Sequence, residues 1–152
     1  YQRGILPRLL DAIIEALNLA DLVVEPEGVE FFVLDFTDAF WQLPLAPSER
    51  RFFTAELQLD GKEQFLAFLR MAQGSRAAPL CWARLAALLM RLTQSLFAAG
   101  TVSLHCFVDD PIGAVRGTKD QCMLAVATMV ATWEALDLEL AYRKGQFGGS
   151  SV

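Results

Sequence analysis

Basic residues are scarce in this chain. Its 152 residues hold 13 Lys and Arg against 18 Asp and Glu, a net charge of −5. Only Lys62, Lys119 and Lys144 are lysines. Taken alone, that balance argues against a nucleic-acid binder, which usually presents a basic face. Cysteine is sparse too. Cys81, Cys106 and Cys122 lie far apart with no C-x-x-C pair. This favours reduced core thiols in an intracellular protein over a disulfide framework or a zinc site. Long hydrophobic runs are missing. The richest, Cys122 to Trp133, has 12 residues and two threonines, too short for a membrane span. The chain opens on Tyr1 rather than methionine, with no signal-peptide pattern after it, and is read as a fragment or an excised domain. No repeat or low-complexity tract divides it.

Hydrophobic residues make up 54% of the chain, enough for one domain with a real core. In "LPRLLDAIIEALN", Leu9, Ile13 and Leu17 recur at i, i+4, as do Leu10 and Ile14, which predicts an amphipathic helix with Pro7 near its first turn. "VEPEG" reads as a loop and "VEFFVLDF" as a buried strand. In "FTAELQLDGKEQFLAFL", Phe53, Ala55, Leu57 and Leu59 alternate with polar residues, and Asp60-Gly61 supplies a hairpin turn. A long helix is expected from about Ser75 to Ala98, with Leu85, Leu89 and Leu92 on one side. "VSLHCFVDD" and "IGAV" read as paired strands. Thr118 with Gln121 forms a capping box that opens a helix to about Leu136, and "LDLELAY" suits a last strand. From Glu30 onward, leaving out the inserted hairpin, the order is β-α-β-β-α-β. That is the ferredoxin-like (RRM-like) plan of α+β proteins: an antiparallel sheet with helices on one face.

Two carboxylate pairs end apolar strands: Asp35 with Asp38 in "VLDFTDAF", and Asp109 with Asp110 in "FVDD". Adjacent like charges repel, and burying them is costly. In the ferredoxin-like order the first strand neighbours the central hairpin, so Asp35 and Asp109 can converge. Converging carboxylates relieve their repulsion by binding a hard cation such as Mg²⁺, and two such ions can clamp a phosphoryl transfer. The same Asp-Asp pair also suits a solvated hairpin tip.

These residues resemble the palm of a reverse transcriptase. "VLDFTDAFWQLPL" resembles that family's first palm motif, an Asp with an aromatic residue five positions on. "RMAQGSRAAPLCW" resembles the second, a Gln-Gly pair with a proline five residues after the glycine. "FVDD" resembles the aromatic-x-Asp-Asp box, and "LDLELAYRKGQF" the fourth motif, a lysine after a short strand. "LPRLLDAIIEAL" resembles the helix that precedes the first motif. The similarity runs from Pro7 to Phe147.

The resemblance implies a polymerase palm over residues 1–152 with a partial fingers hairpin at about residues 48–72. The thumb, connection and RNase H would lie elsewhere in a parent polyprotein. It implies RNA-directed DNA polymerase chemistry on a primed RNA or DNA template with dNTP, in a retroelement-encoded protein of the cytoplasm or nucleus and away from membranes. Asp35, Asp109, Asp110 and the Phe36 carbonyl would ligate two Mg²⁺ ions, with Mn²⁺ as an alternative. Asp38, Ala39 and Phe40 would offer backbone N–H groups to the triphosphate. Phe40 would also crowd the ribose 2′-OH, although a phenylalanine there equally suits an ordinary core. Gln73 would pack near the incoming nucleotide and Gly74 would let backbone approach closely. Lys144 would stabilise or protonate the leaving pyrophosphate; its alternative is a surface lysine. Arg50 and Arg51 are read as solvated or as template contacts, and His105 as a packed residue.

Two departures stand out. Met71-Ala72 replaces the family's Leu-Pro before Gln-Gly, which is expected to loosen that loop, and Pro111 follows the Asp pair although proline cannot donate to a ladder. The resemblance implies that most of the family's basic fingers strands lie outside this stretch, which would account for its acidic charge. Two other readings fit the same sequence: a decayed retroelement palm that folds without polymerising, and a non-enzymatic α+β interaction domain. Exposed apolar surface is expected where the missing segments would dock.

Overall fold

A computed structural model of the chain describes residues 9–148. It contains three α-helices, α1 (Leu9–Ala20), α2 (Ala78–Gln94) and α3 (Lys119–Ala135). Its six strands are β1 (Gly28–Val33), β2 (Thr54–Leu59), β3 (Lys62–Ala67), β4 (Val102–Phe107), β5 (Asp110–Gly117) and β6 (Gln146–Gly148). The chain forms two compact units, one made of the segments up to Thr37 and from Ala83 onward, the other of Asp38–Trp82.

In the first unit four strands make an antiparallel sheet in the order β4-β5-β1-β6. Alternation along β5 sends Ala114 and Val115 to opposite faces. Ala114 packs against Ala16 and Leu19 of α1. Val115 is fully buried, and its carbonyl accepts from the Cys122 thiol of α3 at 3.4 Å. Trp133 on α3 donates its indole N–H to Thr93 of α2 at 2.7 Å, with both side chains buried. So α1, which lies outside the β-α-β-β-α-β order, covers part of the sheet face opposite α3.

The expected capping box is present: Thr118 accepts from Gln121 N–H, and the Gln121 side chain accepts from Thr118 N–H. Other expectations shift. On α1 the buried positions are Ala16 and Leu19, while Leu10, Ile13, Ile14 and Leu17 are exposed. Small residues let the helix lie close to the sheet, and that brings the large apolar side chains outside. The expected Pro7 lies outside the described residues. The long helix runs Ala78–Gln94 rather than to Ala98, and its buried stripe is Trp82, Ala86, Leu89, Met90 and Thr93, with Leu92 exposed. β1 is buried on one face only: Phe32 is enclosed while Phe31 and Val33 are exposed.

"LDLELAY" is not a strand. Past α3 the Asp137 and Leu138 N–H groups turn back to Glu134 and Trp133 carbonyls, with Asp137 left-handed at φ 61°. These bonds use the donors that a ladder would need. Leu140 then makes a lone bridge with Phe36, a 3₁₀ turn follows at Tyr142–Lys144, and the last strand is β6.

The second unit holds the β2–β3 hairpin. Asp60 and Gly61 both have positive φ, 52° and 72°, as a two-residue hairpin loop matching strand twist requires. The expected apolar face of the hairpin carries exposed Leu57, Leu59 and Leu66. The core of this unit is instead Leu45, Met71 and Ala78, with Phe40, Phe53 and Phe68 packed on it. The three cysteines are free, Cys106 and Cys122 buried and Cys81 partly so. No helix among the described residues is long and apolar enough to cross a membrane.

Candidate active site

Asp109 and Asp110 stand where β4 turns into β5. The two-residue turn is Val108-Asp109, and Phe107 pairs with Asp110. Val108 has φ 59°, the positive value that a primed hairpin turn asks of its first central residue and an unusual one for a β-branched side chain. The Cys106 thiol donates to the Val108 carbonyl at 3.4 Å. Burial, reinforced by the charges of Asp109 and Asp110, pushes that thiol up to about 12, so it stays protonated.

The other half of the cluster arrives along β1. The β1–β5 register ends at Val33↔Ile112, but the chains stay aligned beyond it. Leu34 N–H donates to the Pro111 carbonyl at 2.9 Å and Phe36 N–H to the Asp109 carbonyl at 3.0 Å. Extending the register by these bonds sets Asp35 directly across from Asp110. It also accounts for Pro111. Its carbonyl faces the β1 side, so its missing N–H does too, and a single rung is omitted just past the end of β1. On the β4 side the Cys106↔Pro111 pair is of the kind that exchanges no hydrogen bonds. Pro111 therefore leaves the hairpin intact.

Carboxylates facing each other across two strands repel. Partial desolvation, then the charges of Asp109 and Asp35, hold the Asp110 carboxyl above its ordinary value, and Lys144 opposes them. Asp35 is enclosed, at 8% exposure, and its side chain pairs with Lys144 through Oδ2. That bond, then Asp35's charge, pushes the ammonium above its ordinary value. Lys144 is placed by the segment after α3. Ala141 N–H donates to the Asp35 carbonyl at 2.8 Å and Thr37 N–H to the Glu139 carbonyl at 2.9 Å, zipping that segment to the end of β1. The Tyr142 hydroxyl donates to Glu134 of α3, which raises the tyrosine's titration point. Asp35, Asp109, Asp110 and Lys144 thus meet in one unit. Phe36 is wholly buried, its ring 5.4 Å from that of Trp133.

Asp38, Ala39, Phe40, Gln73 and Gly74 belong to the second unit. Asp38 is left-handed (φ 47°, ψ 44°) and leads into a 3₁₀ turn at Ala39–Gln42. Ala39 is buried; Phe40 is half-buried and packs on the core of this unit. Gln73 and Gly74 are exposed in a turn where Ser75 N–H donates to the Ala72 carbonyl at 3.2 Å. Gly74 has φ 88°, so the turn itself requires glycine. The loop that Met71-Ala72 was expected to loosen is anchored: Met71 is buried, and its N–H donates to the Leu43 carbonyl at 2.8 Å. Arg50 donates to the Leu45 carbonyl and Arg51 lies over the Phe52 ring.

Sequence reasoning missed Glu15, Glu134 and Tyr142. Glu15 accepts from Ser103 Oγ at 2.6 Å and lies 3.0 Å from His105 Nε2, which makes His105 a packed partner of α1. Nothing in the spacing of these residues marks pairs that only folding brings together.

Among the described residues, no three acidic, histidine or cysteine side chains close into a ready metal cluster. The donor chemistry nevertheless suits a hard cation. Asp110 is harder to ionise because it is partly desolvated and lies beside the charges of Asp109 and Asp35, and the cation paired with this cluster is an exposed lysine.

The chain matches the family model described as "Reverse transcriptase (RNA-dependent DNA polymerase)" over residues 8–151 and belongs to that family. It is 29% identical over 126 residues to the Gag-Pol polyprotein of avian reticuloendotheliosis virus. The match takes in 82% of this chain and spans 11% of that polyprotein's length.

Proposed function

We propose that this chain is the palm of a retroelement reverse transcriptase, with β2–β3 and its flanks (residues 48–72) as a fingers hairpin, and that it extends a primer 3′-hydroxyl with dNTP on an RNA or DNA template. The observation that carries this reading is the alignment of Asp35 with Asp109-Asp110 past the end of β1. The strand order β4-β5-β1-β6, with helices α2 and α3 in the connections, supports a ferredoxin-like palm.

Asp35, Asp109, Asp110 and the Phe36 carbonyl would hold two Mg²⁺ or Mn²⁺ ions, which when bound would acidify the primer hydroxyl and neutralise the triphosphate. The chain's own residues supply position and charge. Asp38, left-handed before a 3₁₀ turn, forms the kind of backbone nest that binds anions, which suits Asp38, Ala39 and Phe40 to the triphosphate. The Phe40 ring would serve as the barrier to a ribose 2′-OH, Gln73 would pack near the incoming nucleotide and Gly74 would let backbone approach it closely. Lys144 donates a proton or charge to the departing pyrophosphate. The duplex is gripped through its backbone while base pairing supplies sequence. Primer and template are also held by segments of the parent polyprotein outside this chain.

Primer extension on poly-rA/oligo-dT with Mg²⁺, using the chain in its native polypeptide context, tests the reading. Asp109→Asn is expected to abolish extension while leaving the thermal unfolding transition in place. Unchanged extension in that variant would sink the metal assignment. A folded wild-type protein that never extends a primer would mark a decayed palm.

A further inference from the structure

Lys144 and a divalent cation want the same oxygen. The ammonium pairs with Asp35 Oδ2, and the two ends of that pair differ sharply: the Asp35 side chain is 11% exposed and that of Lys144 is 70% exposed. The acceptor is held on both sides by main-chain bonds, Phe36 N–H to Asp109 and Ala141 N–H to Asp35. The donor rides on a long flexible stem at a 3₁₀ turn. Asp109 and Asp110 act on the same ammonium. Stripping an enclosed carboxylate of its counter-charge is costly, whereas an exposed lysine pair is held weakly. A divalent ion brings twice the charge to that oxygen and draws on the neighbouring carboxylates as well.

We propose that Lys144 is a competing counter-ion at Asp35: it holds Oδ2 until a divalent cation takes that atom, so that cation entry and lysine release are one exchange. This rests on the reading of Asp35 and Asp109 as metal ligands. The exchange gives the cluster a fixed positive partner at every stage. It also frees Lys144 beside the site only once the cation is in place, which ties the lysine's availability for phosphate to metal loading.

Mn²⁺ binding to the 152-residue chain, read by the electron paramagnetic resonance of free Mn²⁺, tests the proposal without any polymerase assay. Lys144→Met is expected to bind Mn²⁺ more tightly, on the order of threefold. Arg143→Met, which removes an equal charge one residue away, is expected to gain less. In the wild-type chain, Mg²⁺ should shift the side-chain nuclear magnetic resonance signals of Lys144 and leave those of Lys62 and Lys119 in place. Unchanged or weaker binding by Lys144→Met, an equal gain in Arg143→Met, or a Lys144 signal indifferent to Mg²⁺ would each overturn the exchange. Binding that survives both Asp35→Asn and Asp109→Asn would overturn the metal-site reading itself, and the exchange with it.

Discussion

Gly113 shows how a single residue aligns the two halves of the site. It pairs with Phe32 across β1 and β5, and a Cβ there would lie 2.5 Å from two Phe32 ring carbons and 3.0 Å from the Ser103 carbonyl oxygen. Phe32 is 2% exposed, so its ring has little room to yield. Gly113→Ala should therefore destabilise the fold by about 1–3 kcal/mol, as overpacking does. Urea unfolding measures this. Adding Phe32→Leu should return part of the loss, because the two positions share one space. The sequence shows only a glycine in an apolar strand; the ring that needs it comes from a distant stretch. Pro111 teaches the same point. In the sequence it conflicts with a strand, and the conflict dissolves because its missing N–H falls just past the end of β1.

At the level of elements, local signals were readable and burial was not. Thr118 and Gln121 announce the start of α3, and Asp60-Gly61 announces a hairpin, because each involves neighbours in the chain. The period of α1 predicts a helix but selects the wrong face: Ala16 and Leu19 meet the sheet. The "LDLELAY" alternation suggests a strand, but its first amides cap α3 instead. Where α2 meets α3, the Trp133 indole N–H is buried with Thr93 Oγ1 as its acceptor. Thr93→Val keeps the shape and removes that acceptor. It should cost about 1–3 kcal/mol, the penalty of an unsatisfied buried donor. Thr93→Ser should recover most of it, and chemical denaturation of the pair separates packing from hydrogen bonding.

On the scale of the whole molecule, the segment after α3 is tied down by two side-chain contacts, Lys144 to Asp35 and Tyr142 to Glu134. Both groups titrate above their ordinary values of 10.5 and 10.0. A raised folded value means that each contact stabilises fully below the ordinary value and loses its effect as pH rises through the folded one. The difference in melting temperature between the wild-type chain and a Tyr142→Phe, Lys144→Met double variant should stay level across neutral pH. It should shrink beyond about pH 10. A difference that instead changed near neutrality would implicate other groups.

The sequence by itself determined the order of the central elements and the turns between them, because periodicity, capping and turn conformation are properties of neighbouring residues. It placed Asp35, Asp109, Asp110 and Lys144 in recognisable motifs. Only the tertiary structure decided which faces are buried, how Pro111 is accommodated and what neutralises Asp35. The lysine on that carboxylate comes from 109 positions further along the chain. A contact of that kind depends on strand register and on the path of the chain after α3, and neither is written in any local stretch.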